Sequence, residues 1–411
     1  MKSILSLVGS HVEKLNPLAD VLREGARKML AAAIETEVSQ YLADRAAVVD
    51  SDGRRLVVRN GYHEERSIVT GIGEVAVRKP RVHDRRTGDD REFFQSKILP
   101  PYLRRTKEIE ELIPWLYLRG ISTNDFSESL AAITGQDIGG ISQTTVVRLK
   151  EQWLAEYNAW QKSSLKGKKY VYVWADGVYF NVRLTGEKQC ILVVIGALED
   201  GTKELIAVHD GVRESEISWT EVLLGMKRRG LDTSPKLAIG DGALGFWAAL
   251  EKILPATRVQ RCWCHKTANV LNKLPKKLHD NAKAALHEIW MAETRSDATD
   301  AYNQFVETYK AKYEKAVECL SKDIDDMLAF YDFPAEHWSH LRTTNPIEST
   351  FATVRLRTKR TKGSGSAEAT LMMVFKLMQS AQERWRKLRG YALLTDVVQE
   401  VKFVNGLKIA A

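Results

Sequence analysis

The hydrophobic pattern of the first hundred residues predicts one helix followed by short strands. Residues 19–45 carry apolar side chains at helical spacing with few helix breakers, as in an amphipathic helix. Residues 53–82 instead alternate apolar and polar positions and are punctuated by Asn60-Gly61 and Gly71. This second stretch therefore predicts a short, strongly basic β-meander or a pair of hairpins.

From about residue 105 the pattern becomes helical in three segments that are separated by short turns. Ser122 and Ser142 are placed to cap helix N-termini, and Gly120 and Gly135 are placed to end helices. Such closely spaced helices resemble a helix-turn-helix, whose third helix would carry Arg148 to DNA. A small helical bundle without any DNA contact has the same pattern, so both interpretations stay open.

A linker rich in Lys, Ser and Gly at residues 162–170 predicts a domain boundary, and the pattern beyond it is different. Three β-rich runs come first, followed by an amphipathic helix and one buried strand. These segments are residues 170–183, 189–201 and 203–211 for the runs, 215–230 for the helix and 236–243 for the strand. Three strands, a helix and a strand are typical of the opening of a ribonuclease-H-like core.

The rest of the chain predicts helices, so the fold class is mixed α+β and α/β. An all-helical insertion interrupts the ribonuclease-H-like core, which resumes with the helix containing Glu348 and a final amphipathic helix at 368–388. The predicted segments are 1–104 for DNA binding or dimerisation, 105–167 for the helix-turn-helix-like bundle, 168–274 for the first part of the core, 275–340 for the insertion and 341–411 for the last part.

Composition narrows the class of partner. The 61 Lys and Arg residues exceed the 53 Asp and Glu residues, which gives a net charge of +8 and favours nucleic acid ahead of an acidic membrane surface. Four cysteines in 411 residues suit a reducing cytosol, and no apolar run approaches the length that spans a bilayer. We therefore expect a cytoplasmic protein.

Two aspartates follow or interrupt hydrophobic β runs. Asp176 lies inside YVYVWADGVYF, where burial would cost several kcal/mol unless the carboxylate is paired or metal-bound. Asp241 comes just after the buried strand KLAIG. Taken singly, an Asp-Gly turn at Asp176 and a helix N-cap at Asp241 are the stronger interpretations. Taken together, neighbouring central strands would bring both carboxylates to a common ion.

Glu348 is a lone carboxylate within the most basic stretch of the chain. The surrounding bases are Arg342, Arg355, Arg357, Lys359 and Arg360. A salt-bridged helix face would place acids and bases four residues apart along one stripe, and this stretch does not. The bases are suited to phosphate contacts and the acid to a metal, although a solvated basic face remains an alternative for each base.

Cys262, Cys264 and His265 raise the question of a zinc site. Thiolates and imidazole are good zinc ligands, but a structural site needs four ligands and the usual second Cys/His pair is missing. His279 and Cys319 are only distant candidates. A structural zinc is therefore disfavoured.

Four blocks of the sequence resemble those of a known family. They are WADGVYF, AIGDGALGFW, QRCWCHKTANVL and TTNPIEST followed by FATVRLRTKRTKG. They are similar to the blocks of Mutator-type transposases of bacterial insertion sequences. The resemblance implies that the acidic DDE triad falls on Asp176, Asp241 and Glu348, which would hold two Mg²⁺ ions or, in their place, Mn²⁺. It also maps a Cys-x-x-His element onto Cys262 and His265, which would support the site or the DNA end, with a buried structural role equally open.

The resemblance further implies an activity and partners. The expected enzyme is a nucleoid-associated DNA transposase that binds terminal inverted repeats, cleaves by two-metal hydrolysis and joins 3′-OH ends to target DNA as a homodimer or larger assembly. The candidate DNA contacts are Arg148, Arg355, Arg357, Lys359 and Arg360. The alternatives are a catalytically idle, domesticated DNA-binding protein and a ribonuclease-H-like nuclease without strand transfer.

Overall fold

The chain divides into two compact units, Met1–Val147 and Arg148–Ala411. The computed structural model describes residues 17–118, 121, 126–134, 143–182, 188–211, 213–242, 244–360 and 366–409. Within these residues, every helix is too short or too polar to traverse a bilayer. The division into five segments expected from the sequence stays a prediction.

The first unit contains helices and short strands. They are α1 Pro17–Asp44, β1 Val57–Tyr62, β2 Arg66–Thr70, β3 Gly73–Val77, β4 Pro80–Asp84, α2 Lys107–Leu118 and α3 Phe126–Thr134, and α4 Gln143–Gln161 begins here and continues into the second unit. Strands β2 and β3 form a hairpin, and β1 pairs antiparallel with β4. The β2–β3 hairpin is therefore inserted, in sequence, between the two strands of the β1–β4 pair. The predicted meander, in which each strand pairs with the next, is wrong.

Asn60-Gly61 has a different role from a hairpin turn. It lies inside β1, where the register with β4 shifts between Arg59 and Tyr62. Gly61 has a φ of +67°, which only glycine adopts readily, so this dipeptide forms a bulge. Gly71, by contrast, lies in the turn of the β2–β3 hairpin, as predicted.

The three predicted helical segments are present as α2, α3 and α4. Helices α2 and α3 share an apolar core that includes Ile113 and Phe126. The capping and stop residues predicted between them, Gly120, Ser122, Gly135 and Ser142, lie outside the described residues. The helix-turn-helix therefore stays a prediction.

The second unit alternates strands and helices before it becomes helical. Its first elements are β5 Tyr170–Asn181, β6 Lys188–Leu198, β7 Lys203–Gly211, α5 Glu216–Arg228, β8 Leu237–Gly240, α6 Leu244–Ile253, β9 Arg258–Arg261 and α7 Trp263–Leu271. The later ones are α8 His279–Met291, α9 Arg295–Tyr309, α10 Glu314–Ser321, α11 Ile324–Met327, α12 Trp338–Leu341, α13 Asn345–Arg360, α14 Ala367–Gln382, α15 Leu394–Val398, β10 Phe403–Val404 and β11 Leu407–Lys408.

Five strands form one mixed sheet in the order β7-β6-β5-β8-β9. The pairs β5–β6 and β6–β7 are antiparallel, whereas β5–β8 and β8–β9 are parallel. Helices α5 and α6 bury Trp219, Phe246 and Leu250 in the same apolar core as residues of the sheet. The predicted series of strands and helix is confirmed up to β8. The sequence pattern missed β9, because only four residues form it and they lack an apolar run.

The stretch from residue 275 to about 332 is largely helical, as predicted, and contains α8 to α11. The final predicted helix is present as α14 and contacts α13, also as predicted. It ends at Gln382 rather than near residue 388, because the chain turns at Glu383 and Arg384. The apolar periodicity that predicted a longer helix continues into that turn.

Candidate active site

Asp176 lies in the middle of β5, the central strand of the sheet. The strand continues through it, with Asp176 opposite Val193 and Gly177 opposite Leu192 on β6. The interpretation of Asp176-Gly177 as a hairpin turn is therefore wrong. The Asp176 side chain is buried, and its Oδ1 accepts a hydrogen bond of 2.9 Å from the amide of Gly177.

Asp241 comes next to Asp176 through the parallel pairing of β5 and β8. Ala175 is opposite Gly240 in the last pair of this ladder, so Asp176 and Asp241 are the residues that follow on the two strands. Neighbouring strands run about 4.8 Å apart. The sheet thus brings together the two carboxylates that the sequence predicted at a common site.

Cys262 extends this row onto β9. Gly240 is opposite Arg261, and the amide of Cys262 donates a hydrogen bond of 2.7 Å to the carbonyl of Gly240. Cys262 is also the N-cap residue of α7, so His265 falls in the first turn of that helix. The middle of β5 and the ends of β8 and β9, three adjacent strands, therefore supply Asp176, Asp241 and the Cys262–His265 element.

Glu348 enters from the first turn of α13, a helix that contacts β5. Its neighbours Ile347, Phe351 and Val354 are fully buried at helical spacing, and this apolar face holds the helix in place. Glu348 is half-buried, and its Oε1 lies 3.7 Å from His265 Nδ1.

Thr344 connects Glu348 to Cys262. The Thr344 hydroxyl donates to Glu348 Oε1 at 3.0 Å, and its amide donates to Cys262 Sγ at 3.4 Å. The carbonyl of Arg342, two residues earlier, accepts from the amide of Trp263 at 2.9 Å. The start of α13 is therefore attached to the start of α7, which fixes Glu348 beside His265.

The charges at this site perturb one another. The pKa of Asp176 is raised to about 7, chiefly by burial and in part by the Asp241 and Glu348 carboxylates, while His265 opposes the shift. A hydrogen bond with Cys262 raises the pKa of His265 to about 9, aided by the two aspartates and opposed by burial. His265 is thus an imidazolium at neutral pH among carboxylates.

Glu214 is a further acid at this site that the sequence did not reveal. Burial raises its pKa to about 8, with the Asp241 and Asp176 carboxylates adding to the shift. A Cβ on Gly177 would lie 2.5 Å from Glu214 Cδ, and one on Gly245 would lie 2.5 Å from its carbonyl oxygen. Two glycines close in sequence to the aspartates therefore leave the space that Glu214 occupies.

The missed signal for Glu214 is the direction of β7. Two antiparallel pairings make β7 run the same way as β5, so the segment after β7 emerges at the same edge of the sheet as Asp241. The sequence alone gives neither pairing.

Arg261 is another residue at this site that the sequence analysis missed. It donates to the carbonyl of Asp241 at 3.1 Å and lies 4.5 Å from the ring centroid of Trp247.

The candidate DNA contacts are described only in part. Arg148 on α4 and Arg355 on α13 are exposed. Arg357, Lys359 and Arg360 belong to α13, but their side chains lie outside the described residues. Arg342 is buried, with its guanidinium 4.7 Å from the ring centroid of Phe330, so it belongs to the core rather than to the basic stretch.

Comparison with known proteins identifies the family. The family model described as "Transposase, Mutator family" matches residues 3–388. The transposase for insertion sequence element IS6120 of Mycolicibacterium smegmatis is 50% identical over 298 residues, which cover 72% of this chain and 92% of that relative. The transposase for IST2 of Acidithiobacillus ferrooxidans is 48% identical over 287 residues, covering 68% of this chain and 95% of that relative. The transposase for ISRM5 of Rhizobium meliloti (strain 1021) is 25% identical over 386 residues, 93% of each chain. This chain belongs to the Mutator family of insertion sequence transposases.

Proposed function

We propose that this protein is a DDE-type transposase that binds the terminal inverted repeats of its element, cleaves DNA there and joins the 3′-OH ends to target DNA. The observation that carries the proposal is the convergence of Asp176, Asp241 and Glu348 from β5, the end of β8 and the start of α13. The strand order β7-β6-β5-β8-β9, with three antiparallel strands followed by two parallel ones, supports a ribonuclease-H-like core.

The residues present fit a divalent metal pair. Asp176, Asp241 and Glu348 offer the hard oxygen ligands that Mg²⁺ and Mn²⁺ prefer. The raised pKa of Asp176 reflects burial and mutual repulsion among these carboxylates, which bound cations would relieve. When bound, the metal pair would activate the attacking water or 3′-hydroxyl and stabilise the leaving oxygen.

The surrounding residues would position these acids. Thr344 holds Glu348 through its hydroxyl and Cys262 through its amide, which agrees with a supporting role for Cys262. The charge of His265 offsets part of the carboxylate repulsion, and it also favours the approach of a phosphate to an otherwise acidic site.

Glu214 would serve as a proton carrier at the edge of the site. Without metal its pKa of about 8 keeps it mostly protonated near neutral pH, and cations bound at Asp176 and Asp241 would lower that pKa and free the carboxylate to accept a proton. Attack by a water or a 3′-hydroxyl requires that a proton leave the nucleophile. A carboxylate beside Asp176 and Asp241 is placed to receive that proton without being one of the triad acids.

The DNA backbone would lie along the basic part of α13. Arg355 is exposed seven residues beyond Glu348, which is two turns along the same side of the helix. There its guanidinium would steady the scissile phosphate, whereas Arg357, Lys359 and Arg360 would neutralise phosphates farther along the strand. Arg148 would contact DNA from the third helix of the predicted reader, and the two element ends would be held by a dimer or larger assembly.

The test uses full-length protein, DNA that carries an end of the element and labelled target DNA. Asp176→Asn, Asp241→Asn and Glu348→Gln are each expected to abolish cleavage and end joining while DNA-end binding persists. Asp332→Asn is the matched control, since Asp332 pairs with Arg258 and Arg295 in the same unit outside this cluster. Substantial cleavage by any triad variant would refute the site.

The same assay distinguishes the two alternatives. End binding by the unaltered protein with no cleavage in either Mg²⁺ or Mn²⁺ would identify a catalytically idle DNA-binding protein. Cleavage that yields no joined product would identify a nuclease without strand transfer. Joined products that disappear in all three triad variants support a transposase.

A further inference from the structure

A second set of metal-binding atoms adjoins the acidic triad. Cys262 Sγ, Cys264 Sγ and a Glu348 carboxylate oxygen all lie within 4.8 Å of one another. Two of these atoms are thiols, which Mg²⁺ does not favour as ligands. The chemistry proposed above gives Cys264 no task, so this cluster needs its own explanation.

The backbone that carries the two thiols is firmly anchored. Cys262 ends the ladder of β9, and its amide is bonded to Gly240. Trp263, between the two cysteines, is fully buried, and its Nε1 donates to the carbonyl of Met327 at 2.8 Å. Cys264 is exposed in the first turn of α7. The pair of thiols is therefore held in place, and solvent reaches it at Cys264.

The spacing of the ligand atoms suits one tetrahedral ion. Zinc bonds of about 2.3 Å to sulfur and about 2.0 to 2.2 Å to nitrogen or oxygen place the ligand atoms about 3.3 to 3.8 Å apart. Separations of up to 4.8 Å need only side-chain adjustments of about 1 Å to reach that geometry. His265 Nδ1, 3.7 Å from Glu348 Oε1, lies beside the cluster and can serve as a fourth donor once the ion displaces the imidazolium proton to solvent.

We propose that Cys262, Cys264, His265 and Glu348 bind one thiophilic divalent ion, of the zinc or cadmium class, at a site that shares Glu348 with the acidic triad. Zinc and cadmium prefer thiolate and imidazole ligands, whereas Mg²⁺ prefers the carboxylates of the triad, so the two sites select different ions. The sequence concealed this set because Glu348 comes from α13, more than 80 residues beyond the thiols.

Occupancy of this site would inhibit catalysis. A thiophilic ion bound to Glu348 withdraws that carboxylate from the triad, so the acidic site loses one of its three ligands. This consequence rests on the function proposed above, whereas binding of the ion does not. The site would thus make the enzyme sensitive to free zinc.

The binding test follows sulfur-to-cadmium charge-transfer absorption while Cd²⁺ is added to reduced, full-length protein without Mg²⁺. We expect a band that saturates at one ion per chain. Cys264→Ser should raise the Cd²⁺ dissociation constant by at least about tenfold and weaken the band, since one thiolate ligand is lost. Glu348→Gln should raise the dissociation constant but keep the band intensity per bound ion, because both thiolates remain.

Cys319→Ser is the matched control, because Cys319 is a free cysteine outside this cluster. It should titrate like the unaltered protein. Cys264 is exposed, so its serine variant is expected to fold, which a thermal melt verifies. The absence of a saturable band would overturn the inference. So would a band that Cys264→Ser leaves unchanged, or one that Cys319→Ser weakens equally.

A cleavage assay with added Zn²⁺ tests the consequence. Cys264→Ser should need at least about tenfold more Zn²⁺ to halve its own zinc-free cleavage rate. A cadmium band combined with full cleavage by the triad variants would refute the proposed function and leave the ion site standing. If the triad variants are inactive but the unaltered protein shows no cadmium band, the ion site is refuted and the proposed function stands.

Discussion

Asp84 in the first unit and Asp176 in the second are equally buried, but their pKa values are shifted in opposite directions. Each is 4% exposed. Asp84 lies in a shallow position under its partner Arg86, which donates to both of its carboxylate oxygens at 2.6 to 3.0 Å. Those bonds hold the pKa of Asp84 well below its usual range. Asp176 lies deep in the sheet beside two other carboxylates, and burial raises its pKa to about 7.

This difference shows that low exposure does not by itself mark a functional acid. Asp84 has its own cation and the backbone amides of Arg86 and Glu92, so its charge is balanced within the fold. Asp176 is held among acids and must gain a proton or a bound cation to relieve the repulsion. A carboxylate buried beside other carboxylates stabilises the fold less than an apolar residue would. Its presence there therefore favours a chemical role.

The largest expected effect separates the two aspartates by cleavage. Asp176→Asn should lower the cleavage rate by at least about 10³-fold, because it removes a ligand of the metal pair that would activate the nucleophile and stabilise the leaving oxygen. Asp84→Asn should keep cleavage but lower the melting temperature, since it leaves Arg86 with only the more distant Glu92 carboxylate at 3.6 Å. Equal loss of cleavage in both variants, with both still folded, would end the distinction.

The same pair of variants should move metal-free stability in opposite directions. The folded-state pKa of Asp176 lies above the unfolded value, so ionisation of this group lowers the free energy of unfolding as pH rises through about 7. At pH 8 without metal, Asp176→Asn should therefore raise the melting temperature, with about 4 kcal/mol as the upper bound for three pKa units. A melt with and without chelator measures this. A lower melting temperature for Asp176→Asn at pH 8 would contradict the repulsion.

A smaller effect is expected from Gly177→Ala. The new Cβ would lie 2.5 Å from Glu214 Cδ and displace that carboxylate from the acids. Misplacing a group at an active site by about 1 Å can lower the reaction rate about 10²-fold, so we expect the cleavage rate to fall by about 10- to 100-fold. Gly225→Ala is the control, because only Arg228 Nη2 comes near its Cβ, at 3.9 Å. Equal rates in the two variants would show that the position of Glu214 is unimportant.

The raised pKa values also predict how metal affinity depends on pH. Below about pH 7 to 8, Asp176 and Glu214 hold protons; an ion that binds Asp176 displaces its proton and lowers the pKa of the neighbouring Glu214. The apparent affinity for Mn²⁺ should therefore rise with pH, by about tenfold per unit for each proton displaced, and level off above pH 8. The electron paramagnetic resonance signal of free Mn²⁺ measures it. A flat profile between pH 6 and 8 would contradict these pKa shifts.

The elements of the second unit were largely predictable from the sequence, because long apolar runs and helical periodicity are local properties. The same patterns located Asp176 inside a strand run and Asp241 just after one. What the sequence could not give is the pairing order of the strands. That order places Glu214 beside Asp176, and it makes Asn60-Gly61 a bulge inside β1 rather than a turn. Both features depend on contacts between residues that are distant in sequence, and local hydrophobic periodicity does not report such contacts.

The smallest expected effect concerns bases rather than acids and extends the comparison to Arg86. Lys359→Ala combined with Arg360→Ala should reduce the slope of log K against log salt by about 1.8, or about 0.9 for each lost phosphate contact. Arg86→Ala should leave that slope unchanged, because Asp84 already balances its charge. Arg355→Ala, nearer the triad, should lower cleavage more than binding, since its guanidinium would steady the scissile phosphate. Binding isotherms across a salt series, run beside a cleavage assay, distinguish these effects. An unchanged slope in the double variant would show that the basic end of α13 is a solvated face.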